Sequence, residues 1–115
     1  MINANWIKTT NGYWPSLKTV NLSMVNQLGV YIIWYQGNPG RVIRVGQGDI
    51  AKRLDEHRNN PQITVYEKFG ELLATWAILP SHYFDGIETY LAQNYLPLVG
   101  TRFPDVPPIP VNTPK

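Results

Sequence analysis

The chain contains no cysteine. Disulfide scaffolds and cysteine-based zinc sites are therefore excluded, and a reducing compartment is compatible with the sequence. No apolar run approaches the ~18 residues that a membrane span needs. The first ten residues, MINANWIKTT, carry neither a secretion signal nor a lipidation motif. The cytoplasm is the expected compartment, with no membrane partner. Charge is also sparse: 16% of residues are charged, the net charge is +2 and the pI is near 9.0. That balance admits nucleic acid as a partner without demanding it, and leaves the surface to Asn, Gln, Thr and Ser. Internal repeats are absent, and neither the P-loop nor the dinucleotide fingerprint occurs.

A length of 115 residues fits one small domain, 1–115, that buries about two-thirds of its unfolded surface. Residues 1–27 are polar and weakly periodic, with Leu17, Val20 and Leu22 as a short strand or a covering loop. Gly29–Gln36 is rich in β-branched and aromatic residues and reads as a strand. Gly37–Gly40 is a turn by composition, and Arg41–Val45 is the return strand. Asp49 is a good N-cap for a helix from Ile50 to about Arg58, stopped by Asn59-Asn60-Pro61. Residues 63–69 are ambiguous. Leu72–Leu79 reads as a third strand, and Ser81 caps a second helix reaching about Leu96, ended by Pro97. The core spans about residues 28–97. The tail, 98–115, holds five prolines between Pro104 and Pro114 and must run extended, with Phe103, Val106, Ile109 and Val111 as its anchors. The expected fold class is therefore mixed α/β, of the α+β type.

Chemistry-bearing residues fall at suggestive positions in this layout. If residues 37–40 form the loop, Gln36 faces Arg41 and Tyr31 faces Gly46. Side chains alternate across a strand, so Tyr31, Ile33 and Tyr35 share a face with Val42, Arg44 and Gly46. A glycine opposite Tyr31 leaves space beside the phenol, and Arg44 supplies positive charge that favours phenolate. The competing reading is a core tyrosine with a satisfied hydroxyl. Gly46-Gln47-Gly48-Asp49 reads as a glycine-containing turn ahead of a helix start, able to aim N–H groups at an anion.

On the first helix Ile50 and Leu54 face inward. Arg53 and His57, four residues apart, lie within or beside that stripe. Arg53 suits a phosphate, or else pairs with Glu56. His57 suits proton transfer near neutral pH, or else sits solvated at the rim. Lys52, Asp55, Glu56 and Arg58 form the solvated face. On the second helix Phe84, Ile87, Leu91 and Tyr95 make the apolar stripe, with Glu88 on its edge. Glu88 is either a ligand for a divalent metal or a partner of Arg53. His82 reads as a surface residue, and the four tryptophans as core.

Taken together, these pieces resemble the GIY-YIG nuclease superfamily over residues 28–97. Gly29-Val30-Tyr31 matches the first tripeptide. Arg44-Val45-Gly46, followed by Gln47-Gly48, stands in place of the second. Arg53 in IAKRL, His57 four residues later and Glu88 in GIETYL match the helical signatures. The resemblance implies a three-stranded antiparallel sheet flanked by helices. It also implies a DNA endonuclease using Mg2+ or Mn2+, with Tyr31 as base, Arg53 and Arg44 as phosphate clamp, His57 as an acid/base or orienting group and Glu88 as metal ligand. Gly46 and Gln47 would line the substrate site. Two departures stand out. Arg44 replaces the second motif's tyrosine, and Leu98-Val99-Gly100 stands where the family tends to have asparagine, a place that Asn112 would fill by folding back. The alternative is a non-catalytic nucleic-acid-binding or protein-interaction module on the same scaffold. A unit this small is also expected to need a homodimer or a targeting partner to choose its DNA.

Overall fold

The computed structural model describes residues 1–100 and 103–114. Its core is a three-stranded antiparallel sheet with strands β1 (Leu28–Tyr35), β2 (Arg41–Asp49) and β3 (Leu72–Ala77), in the order β2-β1-β3. Helix α1 (Ile50–Arg58) follows β2 directly. The ambiguous 63–69 segment resolves into a short helix, α2 (Pro61–Thr64), and a 3₁₀ turn over Val65–Phe69. Helix α3 (Phe84–Tyr95) is preceded by a 3₁₀ turn over Ser81–Tyr83, so Ser81 makes no side-chain cap. Among the described residues no helix is long and apolar enough to cross a membrane.

Strand β1 is a near-continuous apolar run because both of its faces are covered. Val30 and Ile32 pack with Phe84, Ile87 and Leu91 of α3. Tyr31 and Ile33 pack with Ile50, Leu54 and Ile63 of the first two helices. The helical spacing of Ile50 and Leu54 thus does what their pattern predicts, and both are fully buried. Asp49 caps α1 by accepting from the Lys52 amide.

Register departs from expectation in one informative way. Tyr31 faces Gly46 and Ile33 faces Arg44, as predicted, but Trp34 faces Val42 and Tyr35 faces Arg41. Ile43 is the extra residue of a bulge. Val42 consequently packs on the α3 side, while Ile43 joins Tyr31 in the other cluster. The expected pairing of Gln36 with Arg41, and the shared face of Val42 and Tyr31, are both replaced. β2 also continues through Gly46-Gln47-Gly48-Asp49, with Gly48 opposite Gly29 and Asp49 opposite Leu28. These residues are strand rather than turn, because β1 is long enough to pair with them.

Both sheet edges are partly covered, which reduces sites for unwanted strand pairing. Along β3, the Ile7 amide donates to the Trp76 carbonyl, Leu17 to Leu72, and Ala74 to Pro15. Along β2, the amides of Leu98 and Val99 donate to Val42 and Ile43. The tail runs extended, as its prolines require. Ile109 donates to the Gly86 carbonyl, and residue 111 bridges in parallel to Ile2. Phe103, Ile109 and Val111 pack on the core, whereas Val106 is exposed and anchors nothing. Arg58 is not on the solvated face: it is half-buried and donates to the Val20 carbonyl at 2.9 Å, which fastens the covering loop to α1.

Candidate active site

Seven residues line one crevice of about 180 Å³: Tyr31, Arg44, Gly46, Gln47, Arg53, His57 and Glu88. All had been singled out in the sequence. Each arrives from a different piece of local logic. Tyr31 sits mid-strand on β1, and Gly46 opposite lacks the side chain that would fill the space over the ring. A Cβ on Gly46 would lie 2.5 Å from Tyr31 Cζ and 2.8 Å from Cε2, and would also collide with the hydroxyl. The bulge at Ile43 sets the register from which Arg44 reaches the crevice, a use to which bulges beside sites are commonly put. Gln47, next along β2 after Gly46, reaches α3. The i, i+4 spacing on α1 places Arg53 and His57 together on the crevice wall.

The Tyr31 hydroxyl lies 2.7 Å from His57 Nε2. Burial raises the Tyr31 pKa above its ordinary value, against the opposing pull of the Arg44 guanidinium. Burial, with Arg44 beside it, lowers His57 to about 4. At neutral pH the phenol therefore keeps its proton and the imidazole is neutral; in its Nδ1–H tautomer the imidazole accepts the phenol's proton at Nε2.

Glu88 is 8% exposed and accepts from Gln47 Nε2 at 2.9 Å. The same amide donates to Asp85, one helical turn earlier, at 2.7 Å. Burial raises the Glu88 pKa; the Gln47 bond and Arg44 oppose that, and Asp85 adds to it. Among the described residues Glu88 forms no ion pair with Arg53 or Arg44. Arg53 makes only a long 3.7 Å contact with Glu56, with both side chains about half exposed (49% each), so the pair adds little and leaves the guanidinium free to turn. Arg44 is half-buried, and its Nε is closed to solvent and meets no acceptor.

The crevice offers one carboxylate, that of Glu88, to a cation of the hard, magnesium type. Such an ion keeps several waters and takes one or two protein carboxylates. Among the described residues no cluster of three or more His, Asp or Glu side chains forms a closed cage.

No family model, curated protein or solved structure matches this chain. The reading of the site therefore stands on its own residues.

Asn112 lies elsewhere. Its amide oxygen accepts from the Ala4 N–H, its amide nitrogen donates to the Ala4 carbonyl at 2.9 Å, and its carbonyl accepts from Trp6 Nε1. It clasps the N-terminal segment and does not line the crevice. One contributor escaped the sequence reading: Asp85, legible in principle, being three residues before Glu88 on the same helical face. Gly100, where the resemblance would have asparagine, lies against Arg44 Nη1 with φ +99°. His82 is exposed, as expected. Trp6 and Trp76 are core, while Trp14 and Trp34 form a half-buried edge-to-face pair at 5.8 Å. That pair lines a separate apolar cleft with Ile32, Tyr95 and Pro114.

Proposed function

We propose that the chain is a divalent-metal-dependent endonuclease of GIY-YIG type that hydrolyses phosphodiester bonds in DNA. The observation that carries this reading is the shared crevice. One phenol, two guanidiniums, one imidazole and one carboxylate face a volume sized for a phosphate and a hydrated ion. The acid is not locked to either arginine, as it would be in a filled, purely structural site.

In this mechanism Tyr31 and His57 form a proton relay. The attacking water bonds to phosphorus as the P–O bond to the leaving strand oxygen breaks; the water gives its proton to the Tyr31 oxygen as the Tyr31 proton passes to His57 Nε2, and the leaving oxygen takes up a proton from solvent. The transfer from Tyr31 to His57 falls within hydrogen-bond reach, at 2.7 Å, the geometric requirement for a proton relay. A neutral imidazole is the form that can accept, and the depressed His57 pKa keeps it so at pH 7. Arg53 and Arg44 hold the non-bridging phosphate oxygens through planar forks and oppose the charge that grows there. Gln47 orients the Glu88 carboxylate, which would hold the metal. When bound, that cation supplies Lewis-acid stabilisation of the phosphoryl oxygens.

A plasmid-nicking assay with Mg2+ or Mn2+ tests the reading. The parent chain is expected to convert supercoiled DNA to the open-circular form, and Glu88→Gln to abolish this while melting as the parent does. Equal cleavage by the variant removes the metal assignment. A folded parent that binds DNA in a salt-dependent way without nicking it is the non-catalytic module instead.

A further inference from the structure

Arg44 is half-buried and lines the crevice. Its charge has no carboxylate within ion-pair distance among the described residues, and its Nε–H is shut off from water without an acceptor. A half-buried guanidinium with no carboxylate partner suits an oxyanion, which its Nη groups would meet from the crevice. The backbone makes room for it. Gly100 adopts a left-handed φ of +99°, and a Cβ there would stand 2.6 Å from Arg44 Nη1 and 3.2 Å from Cζ. The Leu98 and Val99 amides pin this segment to β2, so the wall is fixed. Arg53 supplies the second cation on the same crevice. Against these two stand Glu88 and Asp85, both tied to the Gln47 amide, and Glu56 in a long, half-exposed contact with Arg53.

We propose that this crevice binds a phosphate dianion in the absence of divalent metal, with Arg44 as the specificity-determining residue, and so takes the phosphomonoester at a nucleic-acid strand end in preference to an interior diester. The strand-end preference rests on the nuclease reading for its choice of nucleic acid. The dianion site rests on the two arginines alone. A diester has one negative charge and two free oxygens. A monoester carries roughly −1.5 to −2 at pH 7 and three acceptor oxygens. Two planar forks match the second better than the first.

The test is an NMR amide titration of the full chain with inorganic phosphate in EDTA. Saturable binding in the millimolar range is expected, with shifts at Gly46, Gln47 and Gly48. Arg44→Gln should weaken it at least about tenfold. Glu88→Gln should tighten it, because an opposing charge is removed. Circular dichroism checks folding. Should Arg44→Gln fail to fold, Arg44→Lys keeps the charge without the fork and should still weaken binding several-fold. Absence of saturable binding, or unchanged binding in the folded Arg44 variant, overturns the proposal. In competition, short strands ending in a 5′- or 3′-phosphate should displace inorganic phosphate at least about tenfold better than the same strands ending in hydroxyls. Equal competition overturns the strand-end preference. A chain that binds phosphate this way yet nicks no plasmid loses the nuclease reading alone. One that nicks plasmid yet ignores phosphate in EDTA loses this inference alone.

Discussion

Placing a methyl group on Gly46 probes the site more sharply than removing any of its polar groups. In Gly46→Ala the new Cβ would start 2.5 Å from Tyr31 Cζ and 2.8 Å from Cε2. Comfortable carbon contacts are about 3.5–4.0 Å, so the ring must withdraw by roughly 1 Å. Tyr31 is only 2% exposed, and the rings and aliphatic side chains behind it must move too. Overpacking of this kind costs about 1–3 kcal/mol. The same retreat stretches the 2.7 Å bond to His57 beyond hydrogen-bond length, which adds about 0.5–1.5 kcal/mol. At about 4–8 °C per kcal/mol for a domain near this size, melting should fall by roughly 10 °C or more. Nicking should fall by about 10²-fold, the usual consequence of a reacting group displaced by about 1 Å. Thermal melting followed by circular dichroism, with nicking measured well below the new midpoint, separates the two effects. An alanine variant that melts within about 2 °C of the parent and nicks at the parental rate would refute the claim that this glycine exists to seat the phenol.

Acid stability carries the signature of His57. Its folded pKa near 4 lies below the ordinary 6.5, so its contribution is complete above pH 6.5, declines as the pH falls towards 4 and is flat below. The full effect is at most ~3 kcal/mol, less where water reaches the ring. Urea titrations over this window should show a steeper loss for the parent than for His57→Gln. Glu88, raised by burial, acts in the opposite sense, which is why the comparison needs that variant. Asn112→Ala leaves the Ala4 N–H and carbonyl without their partners and should cost about 2–3 kcal/mol in urea unfolding, while phosphate binding at the crevice stays unchanged.

Much of the site could be read from the sequence because its determinants are local. The alternation of β1, the glycine opposite Tyr31 and the i, i+4 pair on α1 depend on a few neighbouring residues each. The pairing of Tyr31 with Gly46 was correct even though the hairpin tip was not, because the register on the Tyr31 side of the bulge obeys the pleat. The tip itself is a five-residue connection, Gln36–Gly40, between strands ending at Tyr35 and Arg41. What stayed hidden depends on distant partners. The strand character of Gly46–Asp49 is imposed by Leu28–Tyr31, against a composition that favours a turn. Asn112 meets Ala4 across 108 residues, and nothing near either residue signals it. Arg58 looked solvated on the helical wheel because the loop it fastens has no periodicity of its own.

The extra residue at Ile43 also acts as a mechanical joint. Slack introduced in the hairpin tip, by lengthening or shortening the Gln36–Gly40 connection, meets an already irregular ladder before it reaches Gly46. Evolution or an engineer can therefore redesign the tip, to reach along a groove or to graft a recognition loop, while the chemistry beneath keeps its alignment. The hairpin tip is insulated from the crevice at its other end.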